Sequence, residues 1–126
     1  MDAAQALGEL TQLSSQIIAA VALGGDGAVL AGSPEDASER LAASTHELVR
    51  AAAELGSHET HVTRVEVELD DGAMFVVREG DVTVAATTGP SPTSGLVVYD
   101  LRTCAQAIAA PETKKRRTRK PKEEDA

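Results

Sequence analysis

The chain has 126 residues, 12 basic and 20 acidic, for a net charge of −8. That length allows one domain. Phe75 and Tyr99 are the only aromatic residues, so the core must be Val, Leu, Ile and Ala, without the aromatic walls a deep cofactor pocket usually has. Cys104 is the only cysteine, which excludes an internal disulfide and a cysteine-based metal site. Its setting in an apolar helical pattern reads as a small core filler. The first ten residues lack a basic leader and carry Asp2 and Glu9, unlike a secretory signal. The longest apolar run, 17–23, is too short to span a bilayer, and a cytoplasmic location is expected.

Charge divides the chain in two. Residues 1–110 hold 16 acidic and 5 basic side chains, a net −11. Residues 111–126 hold 7 basic and 4 acidic, a net +3, and no large apolar residue. An acidic body repels phosphate backbones, which argues against nucleic acid binding to the folded part. The expected organisation is a domain over 1–110 and a disordered basic tail over 111–126.

In chain order, Leu7, Leu10, Leu13 and Ile17 recur at helical spacing and predict a helix over 3–15. Two apolar runs, 17–23 and 28–31, flank Gly24-Gly25-Asp26-Gly27 and predict a β-hairpin. The glycine-rich turn lacks the following Lys-Ser/Thr of a phosphate loop and opens onto a strand. Ser33-Pro34-Glu35-Asp36 supplies a capping hydroxyl, a proline for the first helical position and two acids for the first turn. Ala37, Leu41, Leu48, Ala52 and Leu55 then repeat helically, and Gly56 stands where a C-terminal cap is expected. The longest helix is therefore predicted over 34–55.

Residues 62–69 alternate, with Thr63, Val65, Val67 and Leu69 facing one way and Arg64, Glu66 and Glu68 the other. Asp70-Asp71-Gly72 and Glu79-Gly80-Asp81 are turns, so strands at 62–69, 74–77 and 82–86 form an antiparallel meander. Gly89, Pro90 and Pro92 mark a loop. Leu96, Val97, Leu101, Cys104 and Ile108 predict a last helix, with Ser91, Thr93 or Ser94 as its cap and Pro111 as its stop. The order is α-β-β-α-β-β-β-α, an α+β arrangement.

No catalytic constellation emerges. His46, His58 and His61 invite a zinc reading, but no matched set of three or four ligands accompanies them. His58 and His61 read as solvated, and His46 as partly exposed or at a protein contact. Glu66 and Glu68 lie about 7 Å apart on one strand face, a spacing open to acid–base work but without pocket-forming neighbours. No Ser/His/Asp order or Cys/His pair is present. No cofactor, metal, catalytic residue or small-molecule substrate is expected. The tail residues Lys114, Lys115, Arg116, Arg117, Arg119 and Lys120, with Lys122, form the strongest charge run. They would attract a polyanion at low salt or serve as a solubilising end. Glu123-Glu124-Asp125 and the acidic body oppose the first role.

With this order in place, residues 5–109 resemble the Roadblock (dynein-light-chain-type) domains. The resemblance rests on the hairpin Val21–Gly32 with its Asp-Gly turn and on the long second helix. It rests also on the meander and on Gly95-Leu96-Val97-Val98-Tyr99-Asp100-Leu101-Arg102 opening the last helix. It implies a profilin-like five-stranded antiparallel sheet with helices on both faces. It also implies a non-enzymatic homodimer joined through the second helix and third strand, acting as scaffold or regulator of a small Ras-like GTPase. The interface it implies includes Arg40, Leu41, Thr45, Leu48, Ala52, Val62, Arg64, Glu66 and Glu68. A long alternating strand at a sheet edge independently favours pairing with its own copy, Arg against Glu. Stimulation of GTP hydrolysis would come through the GTPase's own switch residues, with Arg40 and Arg50 as the only finger candidates. The alternative is a structural adaptor recruited through the basic tail to a membrane, nucleic acid or acidic protein.

Overall fold

Asp2 starts the first helix. Its carboxylate accepts from the Gln5 amide at 2.8 Å, satisfying one of the amides that a helix start leaves open. The computed structural model describes residues 1–110; the expected tail, with Lys114, Lys115, Arg116, Arg117, Arg119 and Lys120, lies outside the described residues. Helix α1 runs Ala3–Leu13 and buries Ala3, Ala6, Leu7 and Leu10. It stops two residues short of 15 because Ser14 turns extended while its amide still reaches Leu10 O at 2.9 Å. Leu13 falls outside the buried stripe, 83% exposed.

Strands β1 (Ile17–Leu23) and β2 (Val29–Ser33) form the expected hairpin. The Gly27 amide bonds to Gly24 O at 2.9 Å and the Ala28 amide to the Asp26 carboxylate at 3.0 Å. Gly27 has φ +85, a conformation glycine adopts without the cost of a Cβ. The glycine-rich segment is a tight turn.

The start of the second helix differs from expectation. Ser33 pairs with Ala20 in the sheet, so it belongs to β2 and is not a helix cap. After Pro34 comes a 3-10 turn, Glu35–Ala37, and then α2, Ser38–Ala53; neither has a side-chain cap. The acids Glu35, Asp36 and Glu39 sit in these first turns, where the helix dipole favours them. At the other end, the amides of Glu54, Leu55 and Gly56 bond three residues back, and the helix unwinds without a left-handed cap. Leu55 lies past the helix, 89% exposed.

The meander is β3 (Arg64–Leu69), β4 (Gly72–Glu79) and β5 (Val82–Thr88). β3 begins two residues later than expected, while β4 and β5 are longer than the apolar runs that announce them. Gly80, at φ +59, makes the β4–β5 turn. Helix α3 runs Ser94–Ala109. Thr93 holds its cap position without a side-chain bond; instead its carbonyl takes the amides of Leu96 and Val97 at 3.1 Å. Its own amide donates to the Gln16 side chain at 2.7 Å.

All five strands are antiparallel in the order β2-β1-β5-β4-β3. Alternation sorts their side chains onto two faces. Phe75, Val77, Val84, Ala20 and Ala22 pack under α1 and α3 with Leu7, Leu10 and Leu101. Val21, Leu23, Val76 and Ala85 pack under α2 with Leu41 and Ala42. Helices thus cover both faces, as the sequence implies.

The α2 start is pressed against β2 so closely that a methyl on Gly32 would collide with the Ser38 side chain and crowd its Cα. A methyl on Gly8, in α1, would meet nothing within 4 Å. Gly32→Ala is expected to lower the unfolding free energy by about 1–3 kcal/mol through overpacking. Gly8→Ala is expected to raise it by about 0.5–1 kcal/mol through helix propensity. Urea denaturation of the two variants checks both signs.

Candidate functional site: the open β3 edge and α2

Two sheet edges exist, β2 and β3, at opposite ends of the strand order. β3 pairs on one side only, with Arg64 opposite Val77, Glu66 opposite Phe75 and Glu68 opposite Ala73. Opposed residues share a face, so this polar row lies on the α1/α3 side, at its rim. Val65 and Val67 stand opposite Val76 and Met74 and therefore lie on the α2 side. α2 lies mainly over β1 and β2 and reaches β5 and β3 less, so the β3 end of its face is more thinly covered, although Val65 still packs against the α2-side core. Val65 and Val67 are half-buried, and Leu69 is 61% exposed.

The expected interface residues divide accordingly. Arg64, Glu66 and Glu68 are exposed on the edge strand, and Val62 is half-buried just before it. Leu48 and Ala52 are half-buried on α2, with Leu48 packed against the α2-side core, and Arg40 is exposed. Leu41 and Thr45 are corrected: they point inward. Leu41 belongs to the core, and Thr45 is buried with its hydroxyl donated to Leu41 O at 2.8 Å. Helical spacing identifies the helix but cannot separate its inner stripe from its outer one. The apolar strip Val65–Val67–Leu69, with Met74 beside it, is masked in the sequence by the more conspicuous charged row. The alternation contains it; which face α2 leaves open is not a local property.

Charges on this surface are partly self-satisfied. Arg64 reaches Glu66 at 3.3 Å along the strand. Arg50 is held by Glu47 at 2.8 Å and Glu54 at 3.5 Å. The hydrogen bond and charge of Arg50 lower the Glu47 pKa, and Glu47 raises that of Arg50 in return. Arg50 is thus already engaged on its own helix, whereas Arg40 has no ion pair among the described residues. His46 ties α2 to the first hairpin, its Nε2 lying 3.1 Å from Gly27 O; since a carbonyl only accepts, this nitrogen carries the proton. His58 and His61 are exposed. Among the described residues no group of three or more His, Cys, Asp and Glu is placed to hold a metal, and no helix is long and apolar enough to cross a membrane.

On the opposite layer, Arg102 of α3 bonds Glu79 of β4 at 2.8 Å and pins the helix across the sheet. An apolar groove between α1 and α3 is lined by Leu10, Leu13, Tyr99 and Cys104. Cys104 itself is buried, and burial, followed by the charge of Glu9, pushes its thiol up to about 11.

Comparison with known proteins fits this geometry. Residues 4–88 match the Roadblock/LC7 domain family, a span that takes in every strand and stops before α3. The chain belongs to the Roadblock/LC7 family. Among solved structures it is similar to a Roadblock/LC7 domain from Streptomyces avermitilis, at 23% identity and TM-score 0.72, covering 86% of this chain and 95% of that one. It is also similar to the gliding protein MglB of Thermus thermophilus, at 16% identity and TM-score 0.68, covering 85% of each chain. A third is MglB of Myxococcus xanthus, at 14% identity and TM-score 0.66, covering 87% and 92%. No curated protein matches the chain.

The Cys104 thiol gives a pH test of the α1/α3 layer. Its pKa in the fold, about 11, lies above the ordinary value of about 8.5, so the fold favours the neutral form. The associated stability is complete below about pH 8.5 and is lost as pH rises through about 11. Wild-type stability is expected to fall across that window more steeply than that of Cys104→Ala, measured by urea denaturation; parallel curves would refute the assignment.

Proposed function

We propose that the protein is a non-catalytic regulator or scaffold that forms a homodimer through β3 and α2 and binds a small Ras-like GTPase. The observation that carries the reading is the open β3 edge, whose unpaired backbone adjoins the apolar strip Val65, Val67 and Leu69. An uncovered edge of this kind is a template for a further strand. A second copy of β3, antiparallel about a twofold axis, supplies one and continues the sheet. A register that sets Arg64 against Glu68 of the second copy also sets Val65 against its Val67. The valine rows then meet, and Arg64 faces Glu68 across the seam. The two Glu66 side chains face each other at the twofold, a like-charge pair that the Arg64 beside each, 3.3 Å away, offsets.

Family membership supports the GTPase part, because Roadblock domains commonly serve such enzymes; one solved neighbour is described as MglB with a tetrameric arrangement, in keeping with self-association. Fold alone does not carry function, so the test must be direct. Arg50, engaged by Glu47 and Glu54, is poorly placed to donate a finger, and regulation would act by ordering the GTPase's own switch segments.

Light scattering on a sizing column should return twice the chain mass of 13.1 kDa at tens of micromolar. Val67→Asp should return the monomer with unchanged circular dichroism, since each copy would bury an unpaired carboxylate against Val65 of the other, at a cost of about 3–5 kcal/mol. A wild-type monomer under these conditions sinks the dimer. For the partner, a Ras-like GTPase from the same genome, loaded with a non-hydrolysable GTP analogue, should bind the wild-type chain. Binding should persist without residues 111–126 and in Arg40→Ala/Arg50→Ala. Absence of binding in every nucleotide state would overturn the GTPase reading.

A further inference from the structure

The other sheet edge, β2, lies at the far end of the strand order from β3 and stays open in a β3-joined dimer. Among the described residues nothing pairs with its outer side. Val29 and Leu30 on it are 42% and 47% exposed. Together with Gly32, Glu35, Asp36 and Glu39 they line a shallow cleft between β2 and the start of α2. The ion pairs of the described residues use Glu47, Glu54, Glu66 and Glu79, so the three acids of the cleft are uncompensated. Ser38 also lines it; this residue is 8% exposed, and its hydroxyl is buried without a hydrogen-bond partner. A buried hydroxyl in that state gains from any polar group brought to it.

We propose that this cleft is the docking site of the chain's own basic segment, Lys114–Lys122, which carries seven basic residues in nine positions. Three observations select this occupant. The first is charge: an acidic, uncompensated cleft meets the one cationic run in the sequence. The second is where the described chain ends. The Met1 ammonium donates to Ala107 O at 3.4 Å, so the last turn of α3 sits at the start of α1, and α1 is the helix laid along β1 and β2. The last described turn of α3 thus lies beside the helix that packs on β2. The third is reach. Residues 114–122 extended span roughly 30 Å, enough to run the whole of β2, about 17 Å for its five residues.

The nearest rival site is the α1/α3 groove, which is mostly apolar with Glu9 and Asp100 in its lining; residues 111–126 contain no large apolar side chain to fill it, and it holds two acids against the three of the β2 cleft. Tethering holds the segment at an effective concentration in the millimolar range, which lets several individually weak exposed ion pairs act together. An extended backbone lying along β2 would also take its open hydrogen-bonding groups. The docked segment shields an exposed strand edge and competes with any external polyanion for the same lysines and arginines.

Hydrogen exchange of the Val29–Ser33 amides, followed by NMR at low salt, tests this without any GTPase, so its failure leaves the preceding reading untouched. Exchange should be about fivefold slower in the full chain than in a chain ending at Ala110, the ratio for a segment docked about four-fifths of the time. The full-length variant Lys114→Gln/Lys115→Gln/Arg116→Gln/Arg117→Gln should match the truncation, which guards against a truncated chain that fails to fold. Salt at about 0.5 M, where screening shortens to a few ångström, should erase the difference. Glu35→Gln/Asp36→Asn/Glu39→Gln should erase it too, and Asp70→Asn/Asp71→Asn, at the β3–β4 turn, should not. Equal exchange in the full chain and both tail variants overturns the proposal. So does protection that follows Asp70 and Asp71, or protection that grows with protein concentration and so belongs to the tail of a second copy.

Discussion

The smallness of the central strands sets the architecture. β1 and β5 bring Ala20, Ala22, Ala85 and Ala86 to the middle of the sheet, all buried, and Gly32 on β2 admits the start of α2. A sheet paved with methyl groups lets helices settle close on both faces, and dispersion contacts then reward even short aliphatic side chains. Phe75 is the only aromatic residue in this core. Two thin aliphatic layers replace the single thick one that larger residues would build. Volume errors have little room to relax in such layers, and helix position is fixed by contact more than by specific polar bonds.

That close fit has a cost at the margins. Three helices cannot tile two faces of a five-stranded sheet, and the shortfall falls on the edges. α1 and α3 share one face, while α2 alone serves the other and leans toward β1 and β2. The β3 end of the α2 face is therefore under-covered, and its valines and Leu69 wait for another surface. The β2 end is covered by helix but framed by unpaired acids. The two edges thus differ in chemistry: β3 pairs an apolar strip with a row of mixed charge, while β2 sets Val29 and Leu30 beside three unpaired acids.

Much of this is readable from local signals. Gly-Asp-Gly and Asp-Asp-Gly turns, strict alternation in 64–69 and helical spacing in α1 and α3 reveal themselves within a few residues, so all eight main elements and their order follow. Local signals mislead where two levels of structure compete for one residue. Ser33 looks like a cap, but a sheet bond to Ala20 claims it first. Gly56 looks like a stop, yet the helix unwinds three residues earlier. Asp2, the residue that does cap a helix, stands out in the sequence only for its charge. Leu41 and Thr45 sit on the expected helix yet face the core, because the rotation of a helix about its axis depends on tertiary packing. The side of β3 that remains open likewise depends on where α2 crosses, and no window of sequence contains that.

The contact between Met1 and Ala107 gives the domain a single corner where it is entered and left. A unit with adjoining ends can be spliced into a loop of a host protein, or circularly permuted, with little strain on either side. The β3 edge and the outer surface of α2 would then stay presented in the same way whatever is attached. The geometry thus makes this fold a portable module, whose β3 and α2 surfaces lie apart from the corner where attached segments join.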